Sequence, residues 1–212
     1  MESRIFNLGL VDFKKAWVFQ KQIFEKVKNN HFNAAVILCR HHPVITAGRQ
    51  ASGASIRVTL PELKNMGIQF YEVERGGDVT YHGPGQLIAY PVFNLDYFKK
   101  DIHLFLRQLE GLAIDFLSGL GIKGLRCKGL TGVWIEKKKV ASIGIAIRNW
   151  ITFHGMSINI KKDDLDNFSL IKPCGMEIEM TSAETVSGNQ IEIAEITGLF
   201  INKFKKILLI PH

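Results

Sequence analysis

The sequence predicts an α+β fold, a mixed β-sheet flanked by helices. Three observations carry that expectation. Apolar runs of strand length are interspersed with two long amphipathic helical segments; hairpin signals occur without a regular strand–helix alternation; and no linker, repeat or low-complexity stretch divides the 212 residues. A chain of that length is expected to form one domain, 1–212, with enough interior to need neither disulfides nor structural metal.

The elements follow in order. "RIFNLGL" reads as a first strand, and 12–30 as an amphipathic helix with Phe13, Trp17, Ile23, Phe24 and Val27 near helical spacing and lysines opposite. "AAVILCR" is a continuous apolar strand stopped by "HHP". Thr59 and Glu62 fit a capping box that opens a short helix closed by Gly67. "IQFYEVER" is a strand that leads into a glycine-rich loop. "QLIAYPVF" is another strand, whose Pro91 predicts an edge position or a strand end. Apolar residues at 102, 105, 106, 109, 112, 113, 116 and 117 give the strongest helix. Two strands turn around Glu136–Lys138, "WITFHGMSINI" adds another, and 191–210 reads as a helix with a basic last turn.

Composition limits the function. Three cysteines, at 39, 127 and 174, form no CxxC and exclude a disulfide framework or zinc ribbon, pointing to a reducing compartment. The N-terminus has neither a signal-peptide apolar stretch nor transit-peptide character, and no window has the ~18 apolar residues of a membrane span. The expected location is the cytoplasm, without membrane association. A net charge of +7 calls for an acidic partner, nucleic acid or protein. The aromatics lie at core-like spacings and do not interleave with basic residues, which argues against RNA.

The densest unusual stretch is "ERGGDVTYHGPGQL", residues 74–87. Its four glycines let backbone approach a ligand closely, and Arg75, Tyr81, His82 and Gln86 add polar side chains. A plain hairpin loop is the competing reading. Neither GxxxxGK[ST] nor GxGxxG is present, so a nucleotide phosphate cradle is not expected. His82, beside Gly83-Pro84, suits acid–base or substrate-orienting work. His154 reads as a satisfied strand histidine and Cys127 as structural. Cys39, His41 and His42 do not make a metal set, because a strand sends His42 to the face opposite the other two. Lys139, after two other lysines at a turn, reads as a solvated lysine. Cys174, between Pro173 and Gly175, stays open between a packing role and a nucleophile activated by a nearby cation.

A family resemblance goes further. "RGGDVTYHGPGQLIAYPV" closely resembles the signature loop of the octanoyltransferases of lipoate biosynthesis, the lipoyl(octanoyl) transferase or lipoate–protein ligase B family. "HPVITAGR", "GLTGVWI" with "KKVASIGIAI", "FHGMSINI" and "PCG" appear in the family's order, so the likeness runs from about His41 to Gly175. It implies the mixed α/β catalytic domain shared with lipoate and biotin ligases. It also implies movement of an octanoyl or lipoyl group from an acyl carrier protein thioester, through Cys174, to a lysine of a lipoyl domain. By the same resemblance Lys139 is the lysine that lowers the thiol's pKa. Arg75, Gly76, Gly77, Asp78, Val79, Thr80, Tyr81 and His82, with Ser142, Ile143, Gly144, Gly155, Met156 and Ser157, line the acyl tunnel. The implied partners are octanoyl-acyl carrier protein and the lipoyl domains of 2-oxoacid dehydrogenases and glycine cleavage H protein. The enzyme is expected to be a monomer without cofactor or metal. His42 stands where the family commonly has proline, Asp78 adds an acid to the loop, and Lys172 replaces a frequent asparagine. An ATP-dependent lipoate or biotin ligase and a non-catalytic basic binding module are the competing functions.

Overall fold

The computed structural model describes residues 2–172 and 178–208. A seven-stranded mixed sheet has the order β1-β2-β6-β10-β9-β8-β7. Its strands are β1 (Ser3–Val11), β2 (Ala34–His41), β6 (Gln86–Phe93), β7 (Leu125–Cys127), β8 (Leu130–Ile135), β9 (Lys138–Arg148) and β10 (Ile151–Asn159). Three more strands, β3 (Val44–Ala47), β4 (Gln69–Glu72) and β5 (Val79–His82), make a small sheet in the order β4-β3-β5. β1 pairs with β2 in parallel, whereas β2–β6, β6–β10, β10–β9, β9–β8 and β8–β7 are antiparallel. The expected mixed sheet is present; the separate small sheet was not anticipated.

Helices cover both faces of the large sheet. Helix α1 (Phe13–Lys28) buries Ala16, Ile23, Phe24 and Val27 against Ala35, Ile37 and Ile88. On the other face, α3 (Ile102–Ser118) and α5 (Ile193–Leu208) pack on Val36, Leu38, Leu87 and Ile158. Phe105, Leu109, Leu112 and Phe116 of α3 are all buried, each contributing about 1.5–3 kcal/mol of transfer free energy. Asp101 Oδ1 accepts the Leu104 N–H at 2.9 Å and so caps the start of α3. The continuous apolar run of β2 follows from cover on both faces. Helix α2 (Leu60–Asn65) opens with the expected capping box: the Thr59 N–H donates to Glu62 Oε2 at 2.7 Å and the Glu62 N–H donates to Thr59 Oγ1 at 3.4 Å. A short helix α4 (Ala183–Ser187) precedes α5.

Pro91 corrects one expectation. It lies in β6, inside the sheet between β2 and β10. The β6–β10 ladder stops at Ala89–Met156, before a strand partner would need the missing proline N–H. The Thr152 hydroxyl takes over, donating to the Pro91 carbonyl at 2.8 Å and accepting the Phe93 N–H at 3.0 Å. Close by, His154 adopts φ 56°, so β10 is kinked where it meets the proline. Gly155 is required there, because a Cβ on it would lie 2.1 Å from the Ala89 carbonyl oxygen and 2.5 Å from Pro91 Cδ.

A second irregularity sets the face of Lys139. Val133 pairs with Ala141, but Trp134 pairs with Lys139, so β9 carries one extra residue at Val140. Val140 and Ala141, though adjacent, are both buried in the core under α3 and α5. The bulge thereby turns Lys139 to the face that also carries Ser142 and Gly144.

Candidate active site

One cleft of about 550 Å3 lies where the glycine-rich loop crosses the middle of the large sheet, a size typical of small-molecule sites. Of the residues singled out in the sequence, Arg75, Gly76, Gly77, Asp78, Val79, Thr80, His82, Lys139, Ser142, Ile143, Gly144, Gly155, Met156 and Ser157 all line it. Tyr81 does not. Strand alternation in β5 turns it into the core formed with Ile45, Leu63 and Ile171, where its hydroxyl accepts from Asn167 Nδ2 at 3.0 Å. Cys174 lies outside the described residues.

The loop is held by side chains it supplies itself. Arg75 is buried; its Nη2 donates to the Thr46 carbonyl at 2.6 Å and to Thr46 Oγ1 at 3.0 Å, and its Nη1 donates to the Gly76 carbonyl at 3.1 Å. Burial pushes the guanidinium down to about 10, which leaves it charged at neutral pH. Asp78 Oδ2 accepts from Ser55 Oγ at 2.8 Å and Oδ1 accepts the Val79 N–H at 2.7 Å. The Gly76 N–H donates to the Ile145 carbonyl at 2.8 Å, closing the loop onto β9 and removing that N–H from any oxyanion role.

Three histidines gather near the cleft floor. His41 donates from Nδ1 to the Val11 carbonyl at 2.8 Å, and its Nε2 accepts the Tyr90 hydroxyl at 2.7 Å. Cys39 Sγ also lies 3.5 Å from His41 Nε2, its thiol pushed far up by burial, whereas His42 is exposed beyond the end of β2. His82 Nδ1 lies 2.9 Å from Gln86 Oε1. His154 is buried and satisfied, as its strand pattern predicts, yet it also lines the cleft. Its backbone N–H donates to Gln20 Oε1 at 2.9 Å and its ring Nε2 donates to Glu74 Oε2 at 3.4 Å. Burial lowers His82 to about 3 and His41 to about 4, and lowers His154 as well, so all three are neutral at pH 7.

Lys139 is the main departure from the solvated-lysine reading. Neighbouring Lys138 is exposed and pairs with Glu179 at 3.0 Å, whereas Lys139 is half-buried in the cleft wall. Its Nζ stands 5.3 Å from the Trp134 ring centroid, within cation–π range. Its stem runs over Gly132, whose φ is 131°; a Cβ there would lie 2.5 Å from Lys139 Cε. Gly132 is itself anchored, since its N–H donates to buried Glu110 Oε1 at 3.1 Å. A glycine inside a strand pattern, as at Gly132, is the sequence signal of such a close approach.

The chain on either side of Cys174 is tied to this framework. The Lys172 N–H donates to the Ser55 carbonyl at 2.8 Å, beside the Ser55–Asp78 bond. On the far side, the Lys139 N–H donates to the Glu179 carbonyl at 2.8 Å and the Thr181 N–H to the Lys139 carbonyl at 2.9 Å. Apolar residues of the opposite wall, among them Ile102, Leu106 and Leu130, come from the start of α3 and from β8, and periodicity alone marked none of them as functional.

The mixed sheet flanked by helices is the fold of lipoate and biotin protein ligases. The fold of lipoate–protein ligase A bound with ATP matches over 98% of this chain and 86% of that one, with a TM-score of 0.78 at 19% identity. Biotin protein ligase from Aquifex aeolicus matches over 98% and 69%, with a TM-score of 0.54 at 14% identity. The chain belongs to the lipoyl protein ligase A/B catalytic domain family, whose model matches residues 12–205. A curated relative from Thermoanaerobacter sp. strain X514, an octanoyltransferase, is 40% identical over 210 residues, covering 97% of this chain and 90% of that protein.

Proposed function

We propose that this chain, an octanoyltransferase of protein lipoylation by its family and relatives, works through a Cys174 thioester with Lys139 as its proton-managing partner. The carrying observation is the half-buried Lys139, turned into the cleft by the β9 bulge and bonded through its backbone to the strand-like stretch 179–181. Cys174 lies five positions before Glu179, a reach of at most ~18 Å. The Lys139 ammonium favours the thiolate. That thiolate attacks the octanoyl carbonyl of an acyl carrier protein thioester. The carrier's C–S bond breaks, and the carrier thiolate leaves with the proton that Lys139 had taken from Cys174.

In the second step the ε-amine of a lipoyl-domain lysine attacks the enzyme thioester. A C–N bond forms, the bond to Cys174 sulfur breaks, and the amine's proton returns through Lys139 to the thiol. Thioester-to-amide transfer is downhill and needs no ATP. The residues of the cleft wall, Ser142–Gly144 and Gly155–Ser157 included, hold the acyl chain. The lipoyl domains of 2-oxoacid dehydrogenases and of glycine cleavage H protein are the acceptors, and the +7 charge suits these acidic carriers. The catalytic domain spans 1–212, acts as a monomer, and works in the cytoplasm; among the described residues no helix is long and apolar enough to cross a membrane.

The test is ATP-free transfer from octanoyl-acyl carrier protein to a lipoyl domain by wild type and Lys139→Ala. The expected result is transfer by wild type and a fall of about a hundredfold or more in the variant. No carrier-dependent transfer, together with ATP-dependent labelling by free octanoate, would replace this reading with a ligase.

A further inference from the structure

A chain of hydrogen bonds with fixed polarity runs from the backbone beside Lys139 to His82. The Thr181 carbonyl can only accept, so the atom of Asn159 3.0 Å from it is the amide nitrogen. Asn159 Oδ1 therefore faces Gln86, which donates to it from Nε2 at 2.9 Å and to the Tyr81 carbonyl at 3.2 Å. Gln86 has two acceptors on its nitrogen side, which leaves Oε1 to face His82 Nδ1 at 2.9 Å. That nitrogen must carry the proton. Gln86 and Asn159 are buried, so none of these orientations is free to reverse.

The consequence is a neutral imidazole whose Nε2 keeps a lone pair and has no partner among the described residues, on a side chain that lines the cleft. Burial holds it unprotonated at neutral pH, helped by the charge of Arg75, with His41 and His154 the titratable groups that also face it. Such a group accepts hydrogen bonds and donates none there. It repels a thiolate and cannot stabilise an oxyanion. It pairs with an entering N–H.

We propose that His82 Nε2 is a hydrogen-bond acceptor for the ε-amine of the incoming acceptor lysine, its tautomer set by the Gln86–Asn159 relay. This rests on the transferase reading above for the identity of the amine. His82 takes no proton: it holds one N–H of the amine, while the departing proton goes to Lys139. Gln86 and Asn159 are positioning residues. Through Thr181 they also join the His82 side of the cleft to the Lys139 backbone.

The tautomer is read directly by two-bond proton–nitrogen correlation NMR on the full chain labelled with 15N-histidine, with His82→Ala for assignment. The expected spectrum shows Nδ1 protonated and Nε2 bare; a protonated Nε2, or a mixture, would overturn the proposal without any variant having to function. Gln86→Leu should release the tautomer into a mixture, and an unchanged His82 would sink the relay. In single-turnover assays His82→Ala should acylate Cys174 normally but pass octanoyl to a lipoyl domain about 10–100-fold more slowly, the value of one lost directed hydrogen bond. Unimpaired aminolysis, or a loss confined to acylation, would overturn the amine assignment alone. Absence of any Cys174 adduct in wild type would instead overturn the reading of the reaction.

Discussion

Gly132→Ala is the sharpest perturbation of the lysine's seat. The new Cβ would sit 2.5 Å from Lys139 Cε and 2.6 Å from the Ala141 carbonyl oxygen. The carbonyl belongs to the β9 bulge and cannot withdraw freely, so the lysine stem must retreat. Restoring an ordinary 3.4 Å contact moves Cε by about 0.9 Å, the difference of the two distances. A misplacement of ~1 Å at a reacting group costs roughly a hundredfold in rate. Overpacking and the φ of 131° together cost about 2–4 kcal/mol of stability. The assay is the single-turnover rate of octanoyl transfer to the enzyme, followed by quenched intact mass spectrometry, alongside urea unfolding. Gly121→Ala is the control: it too has a positive φ, 76°, but nothing lies within 4 Å of its new Cβ and it is outside the cleft. The control should lose stability and keep its rate. A folded Gly132→Ala protein that acylates at the wild-type rate would refute the seat.

Other consequences follow from the same geometry. Glu110 is buried and holds Arg107 at 2.6 Å, Arg126 at 3.1 Å and the Gly132 N–H. Glu110→Gln should therefore cost about 1–2 kcal/mol in urea unfolding, because the buried acceptor loses its charge-assisted bonds to two half-exposed arginines; a loss under ~0.3 kcal/mol would contradict it. The cleft histidines bear on pH. His82 is lowered from 6.5 to about 3 and His41 to about 4, so between those values and 6.5 the unfolded chain binds protons that the folded chain does not. Stability is then full above pH 6.5 and falls as pH drops below it, by about 2 kcal/mol per histidine at pH 5. Urea midpoints at pH 7.5 and 5 measure this, and His82→Asn should flatten the dependence; an equal slope in the variant would refute the neutral buried imidazole.

The sequence carried most of the fold because its helices and strands obey simple periods. Phe105, Leu109, Leu112 and Phe116 mark one helical face, and the Thr59–Glu62 box forms as written. It misled where a partner strand or a bulge changed the rule. Pro91 is tolerated inside the sheet because the Thr152 hydroxyl supplies what the ladder lacks. Lys139 looked solvated because a period of two cannot show the extra residue at Val140 that reverses its direction. The family resemblance covers Tyr81 with the rest of the loop, whereas the alternation of β5 turns it into the core. Asn159 gave no local sign, since its importance comes from Gln86, 73 residues away, and Thr181.

The central claim is that Cys174 carries the acyl group. Intact mass spectrometry after incubation with octanoyl-acyl carrier protein, without ATP, tests it directly. The account predicts one octanoyl adduct on wild type, none on Cys174→Ala, and discharge of the adduct when a lipoyl domain is added. An adduct of equal yield on Cys174→Ala, or transfer to the lipoyl domain by that variant at the wild-type rate, would contradict it.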